Sequence, residues 1–108
     1  RMKGTVRTMD AGVQDFVEGR LAQVVEGTAL ALGARAVLDY RRGYPITINA
    51  PENTGFAAEV ARAVSGQVNT DTPPLMGAED FSFMLNERPG AYIFLGNGDT
   101  AMVHHPAY

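Results

Sequence analysis

The chain has 108 residues, of which 45% are apolar and 19% charged, a composition typical of one small globular domain. Its net charge is −3 and no basic run exceeds Arg41–Arg42, so we expect no nucleic-acid partner. It has no long apolar run, no signal peptide and no Cys, which excludes a membrane span, disulfides and thiolate metal sites and suits a cytoplasmic protein.

The first half of the chain predicts a strand, a helix and a second strand. The segment "MKGTVRT" (2–8) alternates and carries β-branched residues, which favours a strand. Asp10 is a good helix N-cap, apolar residues follow at steps of three and four, and Gly33 is a natural helix end. The segment "ARAVLDYRR" (34–42) alternates again and predicts a strand with one buried face.

A polar loop then indicates a domain boundary, with one domain over 1–43 and a second over 44–108. In the second domain we predict a helix with Asn49 as its cap and Gly66 as its end, and a short helix entered through "GAEDFSFML" (77–85). The apolar run "AYIFLG" (91–96) predicts a buried central strand. The predicted fold class is therefore α/β.

The only two histidines are adjacent, in "AMVHHPAY" at residues 101–108. A neutral imidazole is a common zinc or manganese ligand, and the pair follows a predicted strand end, where ligands gather in open α/β sheets. Consecutive side chains point in different directions, so only one of His104 and His105 is expected to ligate. A solvated polar tail is the alternative that the local pattern also allows.

Two further places carry candidate chemistry. Gly77 allows close approach of a ligand, and the acidic pair Glu79 and Asp80 follows it either as acid–base residues or as ordinary first-turn residues of a helix. Arg7 lies in "GTVRT" and is either a solvated strand residue or a bidentate clamp for a substrate carboxylate. The local patterns leave both choices open.

Taken in order, the motifs "GTVRTMD", "YRRGYPITIN", "MGAEDFSFML", "PGAYIFLGNGD" and "VHHPAY" resemble the C-terminal part of the metal-dependent amidohydrolases. This is the aminoacylase and carboxypeptidase family of zinc peptidases, which includes hippurate hydrolase and the plant auxin-conjugate hydrolases. The resemblance covers essentially the whole chain, and the ordered set of motifs is what makes it specific.

The resemblance implies a catalytic α/β domain with two divalent metal ions, zinc or manganese, and a smaller α/β lid domain through which two copies dimerise. A metal-activated water attacks the amide bond of an N-acyl or N-aroyl amino acid, while a Glu acts as general base. Residues 1–43 resemble the strand-helix-strand second half of the lid or dimerisation domain. Residues 44–108 resemble the C-terminal α/β part of the catalytic domain, in truncated form.

The resemblance also assigns residues. His104 matches the last metal ligand of the family, whereas His105 falls where the family tolerates other residues. Arg7 matches a lid arginine that engages the substrate carboxylate, and Gly77 matches a glycine that lines the same end of the substrate. The two acidic residues of the motif receive no catalytic role: Glu79 and Asp80.

The other metal ligands and the general-base Glu of the family lie upstream of the matched region. We therefore expect the chain to be a piece of a longer enzyme, and the 108 residues alone neither to bind metal tightly nor to hydrolyse substrate. An exposed strand edge and an apolar helix face also predict self-association. The alternative function is a non-catalytic α/β module for dimerisation or small-ligand binding.

Overall fold

A computed structural model describes all 108 residues and contains three helices. Helix α1 spans Ala11–Ala31, α2 spans Pro51–Ser65 and α3 spans Phe81–Glu87. The chain is open, with a radius of gyration of 19.3 Å and extents of 64 × 34 × 21 Å. A compact chain of this length has a radius of gyration of about 13 Å. The helices are therefore not packed around one shared core.

The prediction of an α/β fold is wrong, both for the strand-helix-strand unit and for the C-terminal α/β part. Residues 2–8, 34–42 and 91–96 form no strand. A strand exists only when a second strand accepts and donates its backbone hydrogen bonds. Outside the helices, the one backbone hydrogen bond between segments distant in sequence runs from Ala50 N–H to Gly90 C=O. The alternating patterns have no pairing partner within the 108 residues.

The predicted buried strand at 91–96 is also wrong about burial. Ile93 is 59%, Phe94 71% and Leu95 87% exposed. The apolar run offers side chains to be buried, but no element of the chain covers them. No apolar residue anywhere in the chain is fully buried. No helix has the length and apolar character that a membrane crossing requires.

Helix α1 begins and ends where the sequence predicts. The Asp10 carboxylate accepts a hydrogen bond from Val13 N–H at 2.8 Å, and Gly33 follows the last turn with a φ of 66°. Residues 34–42 then run back along the helix, since Ala34 N–H bonds to Ala29 C=O and Arg42 reaches Glu18. The returning segment half-buries one stripe of α1 without becoming a strand.

The opposite side of α1 is open. Its apolar side chains Val13, Phe16 and Val24 are 49%, 68% and 47% exposed. No hydrogen bond, ion pair or aromatic contact joins residues 1–43 to residues 44–108. The domain boundary near residue 43 stays a prediction.

Helices α2 and α3 lie in the second half of the chain. Pro51 occupies the first turn of α2, and Gly66 ends the helix with a left-handed φ of 76°, as predicted. The N-cap of α2 is Ala50 rather than the predicted Asn49, because the Asn49 side chain bonds to Tyr92 instead. Beside α3, the ring of Tyr92 lies 5.7 Å from that of Phe81. Each of the three aromatic pairs of the chain involves Tyr92 or a residue of α3.

Candidate functional site

The three predicted site residues, Arg7, Gly77 and His104, lie in irregular or turn segments and are exposed. No hydrogen bond or ion pair joins any two of them. Their assigned roles in metal and substrate binding stay predictions.

The two histidines differ in their surroundings. Nδ1 of His105 accepts a hydrogen bond from Ala107 N–H at 3.1 Å, so one of its ring nitrogens is already engaged. The ring of His104 makes no hydrogen bond. His104 also has a φ of 69° and is the only residue other than glycine in the left-handed region. That backbone conformation costs free energy for any residue with a Cβ, and such residues gather at functional sites.

The chain's own residues do not fit a complete metal site. No group of three or more His, Cys, Asp or Glu side chains is arranged to hold a metal ion. A catalytic zinc ion takes about three protein ligands, and a two-metal centre takes more. The imidazole of His104 has suitable donor chemistry, but it supplies one ligand at most. A metal bound here would need ligands from outside the 108 residues.

Gly77 has open space on the side where a Cβ would project, with no heavy atom within 4 Å of that position. Its φ is not in the left-handed region, so the local turn does not demand glycine. Neither conformation nor packing within the chain explains the residue. What the missing side chain leaves is bare backbone that an outside group can approach closely.

Sequence reasoning missed a polar junction that joins α2 to the segment after α3. Nδ2 of Asn49 donates to Tyr92 C=O at 2.9 Å, and Tyr92 N–H donates to Oδ1 of Asn49 at 2.8 Å. Ala50 N–H adds a bond to Gly90 C=O at 2.9 Å. The Asn49 carboxamide thus makes the two backbone hydrogen bonds with Tyr92 that a residue of a neighbouring strand would make. The only signal in the sequence is an Asn placed just before a proline-started helix.

The same tyrosine bonds to the acidic motif. The Tyr92 hydroxyl donates to Oε2 of Glu79 at 2.9 Å. This bond is the main cause that lowers the pKa of Glu79 below its usual value of 4.5, and it raises the pKa of Tyr92 above 10.0. A carboxylate with a lowered pKa is a weaker base near neutral pH. The environment of Glu79 suits a fixed acceptor better than an acid–base catalyst.

Arg42 is a second residue that sequence reasoning missed. Its guanidinium contacts Asp15 at 2.7 Å and Oε2 of Glu18 at 2.7 Å, on successive turns of α1. The hydrogen bond with Glu18 is the largest cause that raises the pKa of Arg42. Because Arg42 stands at the end of the returning segment, the contact fastens that segment to the helix.

Comparison with known proteins identifies relatives over nearly the whole chain. The sequence profile of peptidase family M20/M25/M40 matches residues 3–108. Thermostable carboxypeptidase 2 of Saccharolobus solfataricus is 35% identical over 96 residues, covering 88% of this chain and 24% of the relative. No solved structure matches.

Two other relatives cover more of the chain. N-acetyl-L-cysteine deacetylase of Bacillus subtilis is 33% identical over 107 residues, covering 99% of this chain and 26% of the relative. Hippurate hydrolase of Campylobacter jejuni subsp. jejuni is 30% identical over 109 residues, covering 99% of this chain and 28% of the relative. The chain thus spans about a quarter of the length of the curated relatives it matches. The resemblance stated from the motifs is confirmed.

Proposed function

The chain belongs to peptidase family M20/M25/M40, and on this premise we propose that the whole protein is a metal-dependent amidohydrolase. Its proposed substrates are N-acyl or N-aroyl amino acids. Two similar proteins are named for hippurate hydrolysis and for N-acetyl-L-cysteine deacetylation, and both compounds are N-acyl amino acids. Because this chain spans only about a quarter of those relatives, the activity is proposed for the whole protein and not for these residues alone.

The observation that carries the proposal is the contrast between His104 and His105. The ring of His104 is exposed and free of hydrogen bonds, whereas His105 already accepts one from Ala107. We assign His104 as a ligand to one of two divalent ions, zinc or manganese, with its co-ligands outside this chain. The general-base Glu also lies outside it.

The proposed substrate contacts have free donor groups. The guanidinium of Arg7 makes no ion pair and no side-chain hydrogen bond, so its planar donors are available to a carboxylate in a bidentate arrangement. Gly77 presents backbone with open space beside it. We propose that both meet the amino-acid end of the substrate in the whole protein.

The test is an activity screen of the whole protein. N-benzoylglycine, N-acetylated amino acids and the matching methyl esters of their carboxylates are offered before and after removal of metal with a chelator. We expect hydrolysis of the free acids, loss of activity on chelation and recovery with zinc or manganese. Full activity after verified metal removal, or a preference for the methyl esters, would contradict the proposal.

A second candidate function is a dimerisation or small-ligand module without catalysis. The observation that favours it is the open apolar side of α1, where Phe16 is 68% exposed. We propose that a second copy covers this side, and this remains compatible with an enzyme that dimerises through the same region. Light scattering of the whole protein tests the dimer. The Phe16→Asp variant should have a smaller mass in solution than the Phe56→Asp variant, a matched change at an exposed residue of α2.

A further inference from the structure

Tyr92 is the residue at which the second half of the chain is held together. Its backbone N–H and C=O are both bonded by Asn49, at 2.8 and 2.9 Å. Its ring lies 5.7 Å from the ring of Phe81, and its hydroxyl donates to Glu79 at 2.9 Å. The backbone, ring and hydroxyl of Tyr92 all make contacts, so the residue is fixed in place. A segment that bonds to Tyr92 is therefore fixed as well.

Glu79, at the end of the loop that precedes α3, is the residue that bonds to Tyr92. Its carboxylate accepts from Tyr92, and its backbone C=O accepts from the hydroxyl of Ser82 at 2.6 Å. Ser82 is the only fully buried residue of the chain. By contrast, residues 72–78 make no hydrogen bond with any other part of the chain. Glu79 is therefore the anchor from which the loop carrying Gly77 leaves.

We propose that Glu79 is a positioning residue, which through its bond to Tyr92 sets the place of Gly77 and so the fit of the substrate's amino-acid end. This proposal rests on the function proposed above. Gly77 is two residues from Glu79, so the anchor keeps it within about 7 Å. A binding group that loses its place weakens contacts that the substrate makes equally in the ground state and in the transition state, and this loss appears as a higher KM.

A purely structural role makes a different prediction. If the bond only supported the start of α3, its loss would lower the fraction of folded enzyme, and the apparent kcat would fall while KM stayed constant. A positioning role acts on the binding of the substrate, so KM should rise while kcat changes little. The two roles are therefore separated by the two kinetic constants.

The experiment uses the whole protein with N-acetylated amino acids as substrates and four variants. Tyr92→Phe removes only the donor, Glu79→Ala removes the acceptor, and Glu79→Gln keeps an acceptor oxygen without the charge. Tyr44→Phe is the matched control, since the Tyr44 ring packs on Phe83 but its hydroxyl makes no hydrogen bond. We expect a KM about tenfold higher for Tyr92→Phe and Glu79→Ala, with kcat within about twofold.

The KM of the double variant, Glu79→Ala with Tyr92→Phe, should be no higher than that of the more impaired single variant, because both changes remove the same bond. Glu79→Gln should recover most of the affinity, and Tyr44→Phe should match the unaltered protein. An unchanged KM, an equal effect of Tyr44→Phe, or additive effects in the double variant would overturn the proposal.

Failure of the proposed function would show itself separately, as an unaltered protein that hydrolyses none of the N-acetylated amino acids. The positioning claim is then decided by the backbone amide resonance of Gly77 in NMR spectra of the variants. A change of its chemical shift in Tyr92→Phe and Glu79→Ala, but not in Tyr44→Phe, supports the anchor. An unchanged shift in both overturns it.

Discussion

The carboxamide of Asn49 bonds both backbone polar groups of Tyr92, a residue 43 positions away. This contact joins the start of α2 to the segment after α3, and it does so where the chain has almost no apolar core. Amide side chains suit this task because they carry one acceptor and one donor in a plane, as a peptide group does.

Asn49→Ala should therefore loosen the second half of the chain. Two half-buried hydrogen bonds are lost, and we expect a decrease of about 1–2 kcal/mol in the free energy of unfolding. Asn97→Ala serves as the control, because Asn97 is exposed and its side chain makes no hydrogen bond. Thermal unfolding followed by circular dichroism measures both, and equal melting temperatures for the two variants would refute the role of Asn49.

The glycines inside α1 and the glycine that follows α2 as its C-cap should respond in opposite directions to alanine. Gly19 and Gly27 are inside α1 with no atom within 4 Å of a new Cβ, so Gly19→Ala and Gly27→Ala should each stabilise by about 0.5–1 kcal/mol. Gly66 has a φ of 76°, so Gly66→Ala should destabilise. A loss of stability or of dimer in Gly19→Ala would instead show that another segment packs closely against α1 there.

The bond between Glu79 and Tyr92 should make stability depend on pH at both ends of the scale. The folded pKa of Glu79 is lowered, so its contribution is present above about pH 4.5 and is lost as the pH falls through the folded pKa. The folded pKa of Tyr92 is raised, so its contribution is present below about pH 10.0 and is lost as the pH rises through the folded pKa.

Tyr92→Phe removes the dependence due to Tyr92 and weakens that due to Glu79, whose pKa is also lowered by hydrogen bonds with Asp80 and Phe81. Unfolding measured at a series of pH values should give a flatter profile for this variant than for the unaltered protein. In a pH titration followed by tyrosinate absorbance, Tyr92→Phe should lose the step at the highest pH. Tyr44→Phe should keep that step. An acid loss of stability as large in Tyr92→Phe as in the unaltered protein would show that the bond between Glu79 and Tyr92 does not cause it.

Features decided within a few residues could be predicted from the sequence. Asp10 caps α1 and Gly66 ends α2, because a cap depends on a carboxylate and an N–H three residues apart, or on one left-handed residue. The order of motifs also predicted the family, although no single motif did.

Features that depend on distant partners could not be predicted. Alternation at 34–42 indicates which side chains share a face, but it cannot supply the second strand that a ladder requires, so the predicted α/β fold failed. The choice of Asn49 between capping α2 and bonding Tyr92 depends on a segment 43 residues away. The left-handed backbone of His104 has no signal in the local composition.

The central claim is that His104, and not its neighbour, holds metal for an amidohydrolase. The most direct measurement is bound metal and N-acetyl-amino-acid hydrolysis in the whole protein, compared between His104→Ala and His105→Ala. We predict that His104→Ala loses bound metal and lowers kcat/KM by at least about a hundredfold, whereas His105→Ala stays within about fivefold. Full metal content and activity in His104→Ala would contradict the account.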